Sequence, residues 1–374
     1  MVYQAPLRCG DWSAMLKSYR HATTASNTSI CVWPGRKARV SFIDPTWLAP
    51  SSGRVLFARV GIRQTPHEAA FHRPVPFAFK EWKALSLAET RLPDEADSCK
   101  TPVATTSVLR SGGVLRLELK RRGDATVLDR LYQSGCLKAR LLRPEPRHCA
   151  EAVLLNMSGG VVGGDRLFHD IRWGPATHAV VTTPACEKLY RAASCTATVQ
   201  TALSVAEGAS AEWLPQETIV FDRAMVKRDL QVRLAVGATF TGIESVVLGR
   251  AEMGETVQRV WLRDCWRIWR GDRLIYADAF NLGGNVSELL IRAPTLQGHR
   301  AFANLLHIGP RAEAELQRIR DFLADCGCIC GASAWNGMLS ARLVARDGAT
   351  LRQAVAQALG IIRGNLALPR VWGM

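Results

Sequence analysis

Leu115-Arg116-Leu117-Glu118-Leu119-Lys120 alternates apolar and polar side chains over six residues. Side chains on a strand alternate faces with a period of two, so this run specifies a strand with one dry and one wet side. Val199–Val205 and Leu230–Val236 broadly repeat the pattern. Turn signals separate the runs: Arg122-Gly123-Asp124, Glu207-Gly208-Ala209 and Gly271-Asp272. Many short strands linked by such turns predict a mainly β fold, with antiparallel strands in wound or stacked sheets rather than βαβ units. Helical spacing enters only late. Leu316, Ile319 and Leu323 make one apolar stripe between about Arg311 and Ala324; Leu351, Val355, Leu359 and Ile362 make another. Met338–Arg346, between them, reads as a strand. No repeat of fixed period is evident, although the succession of strands suits sheets wound around a shared core.

Residues 1–105 follow neither rule. Trp, Pro, Ser and His occur there in irregular order, closing on the polar stretch Pro93–Lys100. That composition favours a disordered extension or sequence upstream of the true start over an added module. The β pattern occupies residues 106–374. No apolar run approaches the ~20 residues that cross a bilayer, and no apolar segment follows the first basic residues as in a secretory signal. A cytoplasmic protein with no membrane partner is expected. Eleven cysteines, an odd number without regular spacing, suit a reducing compartment better than a disulfide framework.

The net charge is +15, from 48 basic against 33 acidic residues, but the cations are scattered beside acids, as in Lys227-Arg228-Asp229. Without a basic run or interleaved aromatics, nucleic acid is not expected as a partner. A basic surface meeting acidic proteins explains the charge equally well. Cys326, Cys328 and Cys330 would share one face of a strand and suit a soft metal there. In a turn after a helix they are small thiols. The usual C-x2-C spacing with a second pair is lacking, so no tight metal site is expected. His148-Cys149 are adjacent and would face opposite sides of a strand. Cys186 has no histidine placed near it by the sequence. No H-E-x-x-H, H-x-H or G-x-S-x-G occurs, and no catalytic constellation emerges.

Asn156-Met157-Ser158-Gly159-Gly160-Val161-Val162-Gly163-Gly164-Asp165 is the densest motif. Its glycines match neither a P-loop nor a dinucleotide fingerprint, and Asp165 would repel phosphate. Gly159, Gly160, Gly163 and Gly164 instead suit a tight turn beside a carboxylate. Downstream lie Thr182-Thr183-Pro184-Ala185-Cys186-Glu187-Lys188-Leu189-Tyr190-Arg191, then Trp213-Leu214-Pro215-Gln216-Glu217-Thr218-Ile219-Val220-Phe221-Asp222. Leu248-Gly249-Arg250, Met253-Gly254-Glu255-Thr256 and Leu368-Pro369-Arg370-Val371-Trp372 complete the series. Pro184 and Pro215 would fix loop geometry by locking φ.

In this order and spacing the motifs, from about Leu115 to Trp372, resemble the UreD (also UreH) family of urease accessory proteins. The resemblance implies a non-enzymatic scaffold or chaperone that binds apo-urease subunits and UreF. UreF in turn recruits the GTPase UreG, whose GTP hydrolysis drives nickel insertion into the urease metallocentre. It implies further that Asp165, Glu244 and Asp278 belong to a water-filled internal path for nickel, with Glu187 close by and Glu217 part of a motif. Nickel would pass transiently, with no permanently bound cofactor. Oxygen ligands that hold a borderline ion weakly suit a conduit. Residues 1–105 and the three clustered cysteines fall outside the resemblance. The competing reading is a non-catalytic adaptor that binds acidic protein or nucleic acid through a basic surface.

Overall fold

The computed structural model describes residues 110–143, 145, 149–292, 295–364 and 366–373, together with the strands Thr28–Trp33 (β1) and Arg36–Ser41 (β2). β1 and β2 form an antiparallel ladder whose register pairs Trp33 with Arg36. The rest of the 1–105 extension, and the expectation that it is disordered or precedes the true start, lie outside the described residues.

The body from Gly112 onward is two stacked mixed sheets. The first holds β3 (Gly112–Arg122), β4 (Ala125–Gly135), β7 (Arg166–Trp173), β10 (Ala197–Val205), β13 (Met225–Leu234), β15 (Arg259–Arg270) and β16 (Arg273–Asn285), in the order β16-β15-β13-β10-β7-β3-β4. The second holds β5 (Leu137–Leu141), β6 (Ala150–Asn156), β8 (His178–Thr182), β11 (Ser210–Leu214), β14 (Thr239–Leu248), β17 (Ala301–Ile308), β18 (Ile329–Trp335) and β19 (Met338–Ala345), in the order β18-β19-β17-β14-β11-β8-β6-β5. Short strands β9 (Glu187–Leu189) and β12 (Thr218–Val220) extend it in parallel from the end of β14.

The mainly β expectation holds; its antiparallel part needs correction. β3, β7, β10, β13 and β15 run parallel, and so do β6, β8, β11 and β14. The cause is the destination of the turns. Gly208, at φ +66°, carries the chain from β10 across to β11 in the other sheet, not back along the same one. Each coil of about 30 residues therefore returns beside its predecessor in the same direction. The antiparallel pairs are β3–β4, β5–β6, β15–β16, β14–β17, β17–β19 and β18–β19.

Burial explains the patterns. β3 alternates buried and accessible residues, because one face of the first sheet is open. β8 and β11 are buried along almost their whole length, since the second sheet is covered on both faces. Leu115, Leu117, Ile171, Trp173 and Phe240 fill the layer between the sheets. On the far face Val180, Leu214 and Ile243 pack against α2 (Leu316–Ala324) and α3 (Gly348–Arg363). These are the two helices the periodicity predicts. A four-residue helix, α1 (Ser287–Leu290), has no such signal. Asp347 caps α3 by accepting the Thr350 N–H at 2.8 Å. No helix among the described residues is long and apolar enough to cross a membrane.

Candidate functional site

Between the sheets lies a cavity of about 110 Å³, lined in part by Asn156, His169, Glu187, Arg228, Glu244 and Asp264. Strand parity puts charge there. Arg228 shares its face of β13 with buried Val226 and Leu230, Asp264 its face of β15 with Leu262 and Trp266, and Glu244 its face of β14 with Phe240 and Val246. Buried charge is costly unless paired. Here one guanidinium serves two carboxylates: Arg228 Nη2 donates to Asp264 Oδ2 at 2.6 Å, and Nη1 to Glu244 Oε1 and to Thr218 Oγ1 at 2.9 Å.

The electrostatics follow from that two-to-one ratio. Burial raises Glu244 to about 7, against the pull of Arg228 and with the repulsion of Asp264. Burial likewise raises Asp264, opposed by Arg228 and reinforced by Asp278 and Asp229. Glu187 is also raised by burial, while the Asn156 amide donating at 3.2 Å opposes the rise. Burial lowers His169 to about 4, so its imidazole is neutral at physiological pH, with Nδ1 3.3 Å from the Thr201 hydroxyl. The cavity therefore offers several oxygen donors and one neutral ring beside a single cation.

Asp278, on β16, does not line the cavity but is close enough for its charge to raise Asp264; it is ion-paired with Arg342 and accepts from Asn304 Nδ2 at 3.0 Å. Asp165 does something different. It is 1% exposed, and both oxygens are taken by backbone N–H groups, Oδ1 from Ser111 at 2.7 Å and Oδ2 from Val162 at 2.9 Å. It fastens the glycine turn to the start of β3. The turn lies against β9, with the Val161 N–H donating to Lys188 O and Tyr190 OH to Gly159 O. Gly160 sits at φ +148°, and a Cβ there would lie 2.3 Å from the Tyr190 ring and 2.8 Å from Lys188 O.

The remaining motifs converge on two neighbouring places. Gln216 donates through Nε2 to Pro184 O at 3.2 Å and to Val371 O at 2.8 Å, and its backbone N–H donates to Thr183 Oγ1. Glu217 pairs with Arg352 of α3 at 3.0 Å, and the same guanidinium donates to Trp372 O. The Pro184, Pro215 and C-terminal motif segments are thus one interlocked corner. Cys186 stands beside Glu217 there, its thiol pushed up to about 11 by burial and the Glu217 charge. At the open ends of β9, β12 and β14, Tyr190 meets Phe221 edge-on, and Arg250 lies 4.2 Å over the Phe221 ring while pairing with Glu255.

Cys326 and Cys328 fall in the turn after α2 and Cys330 in β18. The Cys326 and Cys330 sulfurs are 3.8 Å apart and both donate to Leu323 O. Burial and neighbouring cysteines push Cys328 and Cys330 up to about 12.

Sequence reasoning missed Arg228, Asp264, His169 and Asn156. Arg228 lies among the scattered charges of Lys227-Arg228-Asp229, yet it keeps the parity of Val226, Leu230 and Val232. Asp264 keeps the parity of Val260, Leu262 and Ile268. A charge on the inward parity of an apolar strand is the signal that finds both.

Two stacked sheets with β-solenoid-like coiling thus enclose a buried centre in which two carboxylates share one arginine, and the sequence motifs lock together at one end. The sequence profile described as "UreD urease accessory protein" matches residues 111–373. The chain is 42% identical over 284 residues to "Urease accessory protein UreD" of Agrobacterium fabrum, covering 75% of this chain and 97% of that one. Its likeness to the protein of the same name from Rhizobium etli is 43% over 276 residues (73% and 100%), and to that of Xanthobacter autotrophicus 43% over 263 residues (70% and 90%). The chain belongs to the UreD family of urease accessory proteins.

Proposed function

We propose that this protein acts in urease maturation as a scaffold and nickel chaperone, carrying Ni²⁺ toward the urease metallocentre in complex with apo-urease subunits, UreF and, through UreF, the GTPase UreG. The observation that carries the reading is the inter-sheet cluster. Glu187, Glu244 and Asp264 line one cavity, and the charge of Asp278, on β16, reaches Asp264. These four carboxylates outnumber the two arginines paired with them, Arg228 and Arg342. Carboxylates in excess of cations attract a divalent ion, which displaces the protons that burial favours, and oxygen donors already engaged by arginine or amide partners release it again. A conduit needs both properties. Asp165 serves the route indirectly by holding the glycine turn beside Asn156 and Glu187. Pro184, Pro215 and Glu217 serve it by locking the corner with the C-terminal segment. Nickel is cargo, the GTP chemistry belongs to UreG, and the complex works in the cytoplasm.

Co-purification tests the scaffold half. The full chain, tagged and co-expressed with UreF, UreG and urease subunits, should elute with UreF and apo-urease. A folded chain that retains neither overturns the assignment.

A further inference from the structure

On the opposite face of the ten-stranded sheet a second group of donors converges, outside the cluster just described. Cys149 immediately precedes β6, His178 opens β8 and Glu212 lies within β11. One ligand atom from each falls within 4.8 Å of the others. His178 Nε2 is 3.2 Å from Glu212 Oε1, and Cys149 Sγ is 4.0 Å from the same oxygen. These separations are close to the edges of a tetrahedron whose metal–nitrogen, metal–oxygen and metal–sulfur bonds are about 2.0–2.3 Å long.

The geometry points to a site for a borderline divalent transition metal, of the Zn²⁺, Co²⁺ or Ni²⁺ type, formed by Cys149 Sγ, His178 Nε2 and Glu212 Oε1, with a fourth position open to solvent. Three features support it beyond proximity. First, the charge of buried Glu212 is already met: Arg363 Nε, in the last turn of α3, lies 2.7 Å from Oε2, an ion pair outside hydrogen-bond geometry. Second, Arg363 occupies Oε2 and leaves Oε1 facing the other two donors, as an outer-shell partner orients a ligating carboxylate. The same guanidinium reaches Cys149 Sγ at 3.6 Å, so it ties two of the three donors together. Third, access is open. The His178 side chain is 39% exposed and Cys149 is half-buried, whereas Glu212 and Arg363 are sealed beneath them. Thiolate, imidazole and carboxylate together match a borderline ion and mismatch Mg²⁺ or Ca²⁺. Metal entry releases to solvent the Cys149 proton and that of His178, whose imidazole Cys149 and Glu212 raise to about 9. This site differs in its sulfur donor from the oxygen-rich route between the sheets, so it would hold an ion where the route lets one pass.

Titration of the full-length protein with Co²⁺ alone tests it, since thiolate ligation gives a charge-transfer absorption that oxygen sites do not. The expected result is one thiolate-bound Co²⁺ per chain, displaced by Zn²⁺. Cys149→Ser should abolish the band. His178→Gln should weaken binding by more than the ~10–100-fold that loss of an outer-shell partner costs. A Cys326→Ser/Cys328→Ser/Cys330→Ser variant should keep the band. One readout needs no variant: Zn²⁺ should slow iodoacetamide labelling of Cys149 and leave half-buried Cys136 unchanged. A wild-type protein without the band, an undiminished band in Cys149→Ser, or unprotected Cys149 overturns the site. No urease or partner enters the test, so its failure leaves the nickel-route reading standing, and the converse holds.

Discussion

At the scale of single residues, one guanidinium decides most of the interior. Arg228 holds Glu244 and Asp264 together, and its side chain is only 11% exposed. Removing one partner of such a group strands the others without compensation, which costs about 3–5 kcal/mol. Arg228→Met should lower the urea midpoint accordingly; an unchanged midpoint would show that the carboxylates find other cations. Glu244 sets a pH dependence whose sign is fixed. Its folded value of about 7 lies above the ordinary 4.5, so the folded state binds the proton more tightly than the unfolded chain. The resulting stability is full below pH 4.5 and declines as pH rises toward 7. Glu244→Gln mimics the protonated form. Its stability relative to wild type should therefore improve between pH 5 and pH 8, with each unit of pKa shift worth about 1.4 kcal/mol. Parallel stability–pH curves for the two proteins would contradict the buried-carboxylate account.

At the scale of elements, the glycine turn and the short β9 strand form one unit. Gly160 carries both a positive φ and contacts that leave no space for a Cβ. Gly160→Ala should destabilise by about 1–3 kcal/mol, the usual cost of forcing a side chain into a strained, filled position, and thermal melting measures it. An unchanged melting temperature would mean that the Tyr190 ring swings aside freely. The same elements show how far the sequence speaks. β3, β10 and β13 are legible because the first sheet keeps one face in water, so their side chains alternate. β8 and β11 are not, because helices cover the second face of their sheet and erase the alternation. α2 and α3 show their stripes because each has a single buried side. Parallel pairing was hidden for a different reason: Glu207-Gly208-Ala209 looks like Gly271-Asp272, yet one crosses between sheets and the other closes a hairpin. Glycine at a turn records a positive φ and not the sheet to which the chain returns.

At the scale of the whole molecule, strands alternate between two sheets, so residues far apart in sequence meet across one interior. Glu187, Arg228, Glu244 and Asp264 come from four strands, and their juxtaposition has no local signature. Glu244, within the apolar strand Thr239–Leu248, and Asp278, which interrupts the apolar run 274–280, are legible in sequence as charges within apolar strands, and Glu187 through the family resemblance. Their arginine partners are not, because pairing is a property of the stacked sheets. Cys149 and His178 tell the same story: Cys149 looks toward His148 in sequence, but in space it meets His178 and Glu212.

The most direct test measures nickel in urease matured by Glu187→Gln/Asp278→Asn protein, with the UreF-containing complex isolated in parallel. Both substitutions keep side-chain shape and remove charge from the route while sparing Arg228 and the glycine turn. The account predicts an intact complex and urease nickel content reduced about tenfold or more, as expected when ligand charge is lost from a metal path. Wild-type nickel content in urease from an intact complex would contradict a route through these carboxylates.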